Sequence, residues 1–519
     1  MSALDRVEAA LARAGRALER PAPYHAVAAA LVVLALLVRL ALAAHATDVS
    51  HGHPDSWVFF HQAYVEYLGG NVFPDDHRGS GWQLLLFATL HALGFEAGEG
   101  WTGYQQAMTG DAANAALVAH TLSASLAAGA VAATLLLARE LVPRPAALLA
   151  ATLIAFDPFL LRSSTSAMSE PLYVPLFVLG VMTVLRARRH PAWLVATGAL
   201  MALAHVMRVT GLVMYGALGL FALALLHRPL LGATQGRARR ALAWTHALLR
   251  DRRLLAWGGA SVATFLLVAS PYLVWREVGG HGALDYGTNQ RFWAADLWDL
   301  QDPWWQAEFA GERIPRETMR DYFATHSLAQ AAERLAQSIA WQVFDLFGSG
   351  RYPPWTTEGG AWVGSPQEES ALTPLLVALS LVAAFTAMRR REWWFLPIAL
   401  VVTFLTFVWI YPLVRSVRYF AALIPLFTIA AVAGWMHLAT LVRRPWLVGT
   451  AIFGAYLALY ALTPLLHVGE GVRLLATSAH ARAIVAVTGS VWLLVALAPA
   501  LERLLAWAPR RAPRDERAE

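Results

Sequence analysis

The chain has 519 residues, of which 57% are hydrophobic and 15% charged, with a mean hydropathy of +0.47 and a formal net charge of +6. This composition excludes an ordinary soluble domain and describes a polytopic membrane protein. The absence of cysteine excludes a disulfide scaffold and a thiolate metal site.

The first 23 residues carry Arg6, Arg13, Arg16 and Arg20 along a helical spacing, which predicts an amphipathic helix near the lipid headgroups. The apolar run Tyr24 to Ala44 is too long for a signal h-region and has no clear cleavage site, so it reads as a retained span. Further apolar runs long enough to approach the roughly 30 Å of hydrocarbon lie near 113–138, 145–161, 169–185, 192–207, 210–226 and 256–275. Five more lie near 371–388, 393–411, 419–437, 446–466 and 483–502. The expectation is therefore an all-α polytopic protein of about twelve spans. Its parts are a cytoplasmic helix over 1–23, a transmembrane domain over 24–502 and a basic, cytoplasmic tail over 503–519, whose last ten residues read as disordered.

Charge tests the threading, because cytoplasmic loops of membrane proteins collect basic residues. Every basic residue other than histidine is arginine. With the N-terminus inside, the cytoplasmic segments hold 26 arginines against 10 acids and the outer segments 14 against 25, with Arg39 inside the first span. The short loops agree: RARRH at 186–190, RRR at 389–391 and RR at 443–444 all fall inside. The basic pI thus reports orientation and gives no reason to invoke nucleic acid.

Two outer segments are large, 45–112 and 276–370. The first contains a helical pattern from Ser56 to Leu68, with Trp57, Phe60, Tyr64 and Tyr67 on a face suited to the membrane interface. The second contains another from Leu328 to Phe347, whose apolar face suits the bilayer surface.

The stretches DSWVFFHQAYVEYL and HRGSGWQLLLFATLHALG resemble the first outer loop of the GT-C superfamily of membrane glycosyltransferases, particularly the protein O-mannosyltransferase and aminoarabinose transferase branch. Further matches follow in order: DPFLLRSSTSAMSEPLYVPLF, ALAHVMRVTGL, SPYLVWRE and RYFAALIP. Two departures stand out: Ser56 sits where the family often has an acid, and His77-Arg78-Gly79 replaces a His-Pro-Pro-like turn. The resemblance implies transfer of a sugar from a polyprenyl-phosphate donor to a glycan, lipid or protein acceptor at the outer leaflet, usually with inversion.

A single displacement of that kind needs a base on the acceptor and positive charge beside the departing phosphate. The resemblance makes Asp55 the base, although an Asp at a helix start is equally a cap. Asp157 and Glu170 lie at the outer ends of spans, where carboxylates are costly. They are candidates to hold the acceptor or orient a site arginine, with helix capping the plain alternative. For the phosphate, Arg418, Arg415 and Tyr419 cluster at the mouth of one span and Arg208 lies at the end of another. Arginine suits bidentate phosphate contact, and snorkelling to headgroups is the competing account. His51, His53 and Asp55 alternate as HxHxD, a pattern that invites a metal, yet no completing ligand is evident. The expectation is no catalytic metal and no cofactor, with His53 and His77 as substrate contacts. A twelve-span secondary transporter is the rival reading, since a basic loop divides the spans six and six. The lack of lysine and the abundance of arginine and alanine suggest a GC-rich bacterial genome, and hence the inner membrane with an outward-facing site.

Overall fold

The computed structural model describes residues 2–46, 54–74, 79–98, 110–226, 251–280, 282–284, 319–347, 356–358, 361–363, 372–387, 389–409, 411 and 417–507. Among the described residues each of the twelve apolar runs is mainly helical, with 113–138 and 145–161 each divided between two helices. The elements are α1 (Ala3–Leu18), α2 (Pro21–His45), α3 (Pro54–His61), α4 (Gly81–Ala92), α5 (Gly110–Ala127), α6 (Gly129–Leu141), α7 (Arg144–Ala155), α8 (Pro158–Ser163), α9 (Glu170–Arg186) and α10 (Trp193–Met207). There follow α11 (Thr210–Leu226), α12 (Arg252–Val278), α13 (Met319–Thr325), α14 (Leu328–Phe347), α15 (Pro374–Thr386), α16 (Phe395–Phe407), α17 (Ile424–Ala439), α18 (Pro445–Leu466), α19 (Val468–Thr477) and α20 (Ala479–Trp507). Among the described residues the only strands are three-residue arms of a hairpin, Thr356–Glu358 and Ala361–Val363.

The core is built by α5, α6, α7, α9 and α17, with α2 laid against α5, α7, α19 and α20. The apolar stretch Gly110–Leu141 is wholly enclosed, whereas α12 and the stretch Pro445–Thr477 are mostly exposed along their apolar windows. An apolar helix that protein does not cover is covered by lipid. Six helical stretches are long and apolar enough to cross a membrane, and shorter apolar helices such as α7, α10, α11 and α15 pack among them.

The arginine-rich turns gather at one end of this bundle. Arg188 pairs with Glu392, Arg186 and Arg189 reach Glu140 at 3.0 and 3.4 Å, and Arg444 reaches Asp5 at 2.9 Å. Helix α1 is docked there as well: the Glu8 carboxylate accepts from the backbone N–H groups of Trp446 and Leu447 at the start of α18. The charge pattern of the sequence is thus carried into space, because segments assigned to one side make contact with one another.

Two surface helices behave differently. α14 occupies the expected residues and turns its polar side to the protein, with Arg334 donating to the Trp409 carbonyl and Tyr411 donating to Asp345. Ile339, Val343 and Phe344 are exposed on the other side, an arrangement suited to lying in the bilayer surface. The helical pattern at 56–68 departs from expectation. α3 gives way to a π-helical segment, Gln62–Tyr67, and Trp57, Phe60, Tyr64 and Tyr67 are all buried. Their apolar spacing was read as an interfacial face, but it packs onto protein, with Phe60 and Tyr64 stacked at 5.2 Å.

Candidate active site

Opposite the arginine-rich turns, the segments quoted from the sequence converge on one carboxylate. Glu170 opens α9 and is 1% exposed. One of its oxygens accepts from the Arg208 guanidinium and lies 3.9 Å from Nε of Arg418, while the other accepts from the Ser169 hydroxyl at 3.4 Å. The burial of a carboxylate is tolerable only with such compensation. Two arginines against one acid leave the cluster positive.

Local structure explains how Arg208 reaches this point. α10 ends at Met207, and Arg208 takes an extended conformation (φ −152°, ψ 128°) before α11 begins. Gly211 permits the reversal, because a Cβ there would stand 2.4 Å from the backbone nitrogen of His205. The Arg208 guanidinium lies 5.7 Å from the ring centroid of Tyr173 and 5.6 Å from that of Tyr419. Both distances are within cation–π range. Arg418 and Tyr419 belong to the 3₁₀ turn Val417–Leu423 that leads into α17. Tyr419 is fixed by stacking on Phe407 at 4.1 Å, and the Arg418 guanidinium sits 5.9 Å from the Tyr419 ring.

The first outer loop is built into the same place. A Cβ on Gly79 would lie 2.5 Å from the Val206 carbonyl and 2.8 Å from the Arg208 nitrogen, so this backbone touches that of the site. Glycine at this position is a requirement of close approach. Ser80 accepts no such freedom: its N–H donates to the Tyr272 hydroxyl at 3.3 Å, which ties the loop to α12. Trp82 is fully buried and donates to the Ala167 carbonyl at 2.9 Å, and His120 meets the Thr165 carbonyl at 2.6 Å. These two contacts hold the segment that delivers Met168 and Glu170.

Asp157 is placed by the turn between α7 and α8. It caps α8, accepting the Leu160 N–H at 2.9 Å, and is 1% exposed. Its charge also bears on Arg39 and Tyr460. Arg39 is fully buried and donates to the Ile154 and Ala155 carbonyls at the end of α7. That role for Arg39 was not read from the sequence, where a lone arginine inside a span was the available signal. Tyr173, the second ring beside Arg208, was also missed, since an aromatic in an apolar run looks like core. Asp55 is the second residue of α3, and its side chain lies outside the described residues, as do His53, His77 and Arg415 entirely.

The motifs singled out in the sequence thus converge at one end of a multi-pass all-α bundle. Residues 29–271, just under half of the chain, match the family model for dolichyl-phosphate-mannose-protein mannosyltransferase, in agreement with the resemblance read from the sequence. Among solved structures the chain is similar to the oligosaccharyltransferase AglB of Archaeoglobus fulgidus. The form in complex with an inhibitory peptide and a dolichol-phosphate matches at 16% identity and a TM-score of 0.44, covering 85% of this chain and 55% of that one. The form tethered with an acceptor peptide containing the NVT sequon matches at 15% identity and a TM-score of 0.49, covering 88% and 56%. The chain thus spans about half the length of these structures. No curated protein sequence matches it.

Proposed function

We propose that this protein is a glycosyltransferase that moves a sugar from a polyprenyl-phosphate-linked donor to an acceptor at the outer face of the membrane, by a single inverting displacement. The observation that carries the reading is the meeting of Glu170, Arg208 and Arg418, flanked by Tyr173 and Tyr419, against the Gly79 backbone of the first outer loop. A positive, aromatic-walled site at the end of an apolar bundle suits a phosphate that arrives on a lipid chain. The match of residues 29–271 to the dolichyl-phosphate-mannose-protein mannosyltransferase model supports a lipid-linked donor.

In this reading Arg208 and Arg418 hold the leaving phosphate, joined by Arg415, and Tyr419 sets their orientation. Glu170 keeps the two guanidiniums at a fixed spacing before substrate binds, which is preorganisation of charge where charge develops. Asp55 takes the proton of the acceptor nucleophile, with His53 and His77 as substrate contacts and Asp157 supporting the segment that carries Glu170. The bond from the sugar's anomeric carbon to the phosphate oxygen breaks as the bond to the acceptor forms. No metal ion is required for these steps.

Membranes carrying the protein, incubated with radiolabelled polyprenyl-phosphate sugars, should transfer label to an acceptor. Asp55→Asn should reduce the rate by about 10²–10⁴-fold, the scale of a general base. Undiminished transfer by that variant would remove Asp55 from the mechanism, and no transfer with any such donor would remove the enzyme reading.

A further inference from the structure

At the arginine-rich end, away from the candidate active site, a pocket of about 480 Å³ opens between the ends of α6, α9, α10 and α20. Arg139, Arg186, Arg189 and His190 line it on one side, and Leu136, Trp193 and Pro499 on the other. Glu140 is its one acid, and it is already engaged by Arg186 and Arg189 at 3.0 and 3.4 Å. Three guanidiniums against one carboxylate leave the lining positive even with His190 neutral.

The wall is organised, and a chance spray of surface charge would not be. Arg186 is held between Glu140 and the Trp193 ring, whose centroid is 5.1 Å from the guanidinium. Arg139 lies over the Tyr24 ring at 5.0 Å. Arg189 remains 74% exposed at the rim, able to swing onto a ligand. Arg188, one residue earlier, turns away to Glu392 and takes no part.

We infer that this pocket binds the phosphate headgroup of an anionic phospholipid. The pocket sits where apolar helices end and arginines begin, the level of the headgroups. Its two faces match the two parts of such a lipid: guanidiniums for the phosphate oxygens, and Leu136, Trp193 and Pro499 for the glycerol and first methylenes. A phosphate monoester or diester fits the volume, and a neutral zwitterionic headgroup would bring its own cation into a positive lining. The inference does not depend on the proposed transferase activity.

Thermal unfolding of the detergent-purified protein tests it, with phosphatidylglycerol, phosphatidylcholine or inorganic phosphate added and lipid retention read by native mass spectrometry. Phosphatidylglycerol should raise the midpoint and be retained, and phosphatidylcholine should do neither. Arg189→Gln should weaken phosphatidylglycerol binding about tenfold, the loss of one charge-assisted contact, while Arg188→Gln should leave it unchanged. Equal effects of the two lipids, or equal retention by Arg189→Gln and wild type, would overturn the inference. Stabilisation by inorganic phosphate without any by phosphatidylglycerol would overturn the assignment to lipid. If Arg189→Gln proved unstable without lipid, His190→Gln at the same rim provides the second measurement, with the same direction expected.

Discussion

Exposed and buried arginine–carboxylate pairs do different work in this bundle, and the clearest examples lie at its two ends. At one end Arg188 and Glu392 are 49% and 29% exposed, and Arg444 and Asp5 are 26% and 39% exposed. Pairs in such settings contribute about 0–1 kcal/mol each, and their work is to mark a side and fasten turns together. At the other end Glu170 is 1% exposed and its partners Arg208 and Arg418 are 13% and 18% exposed. There the desolvation of each ion is large, and the group survives because its members compensate one another. The same residue types fasten turns together where they are exposed and hold a positive cluster where they are buried.

Substitutions matched across the two ends should expose that contrast. Glu170→Gln leaves two guanidiniums facing each other without their carboxylate, and should cost about 3–5 kcal/mol of stability along with transfer activity. Glu392→Gln, its counterpart at the exposed end, should cost less than about 1 kcal/mol. Unfolding midpoints of the two purified variants check this, and similar losses would end the distinction. Arg208→Lys keeps a charge but not the planar fork. It should raise the KM for a polyprenyl-phosphate donor by roughly 10-fold or more, with a smaller fall in kcat. Gly79→Ala comes next, because its Cβ would meet the Val206 carbonyl and displace Arg208. It should cost about 1–3 kcal/mol and lower activity with the sequence of the arginines intact.

Legibility followed how local each feature is. Apolar runs and arginine turns are properties of contiguous residues, and the runs are helical, although 113–138 and 145–161 are each divided between two helices; α14 begins and ends where its pattern begins and ends. Arg208, Arg418 and Glu170 were visible because a charge at the end of an apolar helix is conspicuous in any fold. Their meeting was not, since 38 residues separate Arg208 from Glu170 and 250 separate Arg418 from its neighbour Met168. Tyr173 shows the limit in another form: a tyrosine in a span looks the same whether it fills a core or flanks a cation. The aromatics at 57–67 show a third, because their spacing reports one apolar face without saying whether protein or lipid covers it.

The smallest effect concerns the docking of α1 at the exposed end. Asp5 is held down to about 2 by hydrogen bonds from the Ser2 side chain and backbone and from Arg444, with the Arg444 charge adding to them. Its pKa is thus lower folded than unfolded, where 3.8 is usual. The sign follows: the ionised form stabilises the docked helix above about pH 4, and this contribution disappears as pH falls through about 2. Hydrogen exchange of residues 2–18, normalised to intrinsic rates between pH 5 and 2, should show protection falling over that window in wild type. Asp5→Asn should begin less protected and change little across it. The Trp446 and Leu447 N–H groups at the start of α18, which donate to Glu8 of α1, should lose protection together with α1. Constant protection in wild type down to pH 2 would mean that the Asp5–Arg444 pair contributes nothing to docking, and that the Trp446 ring lying over Gly15 holds α1 by packing alone.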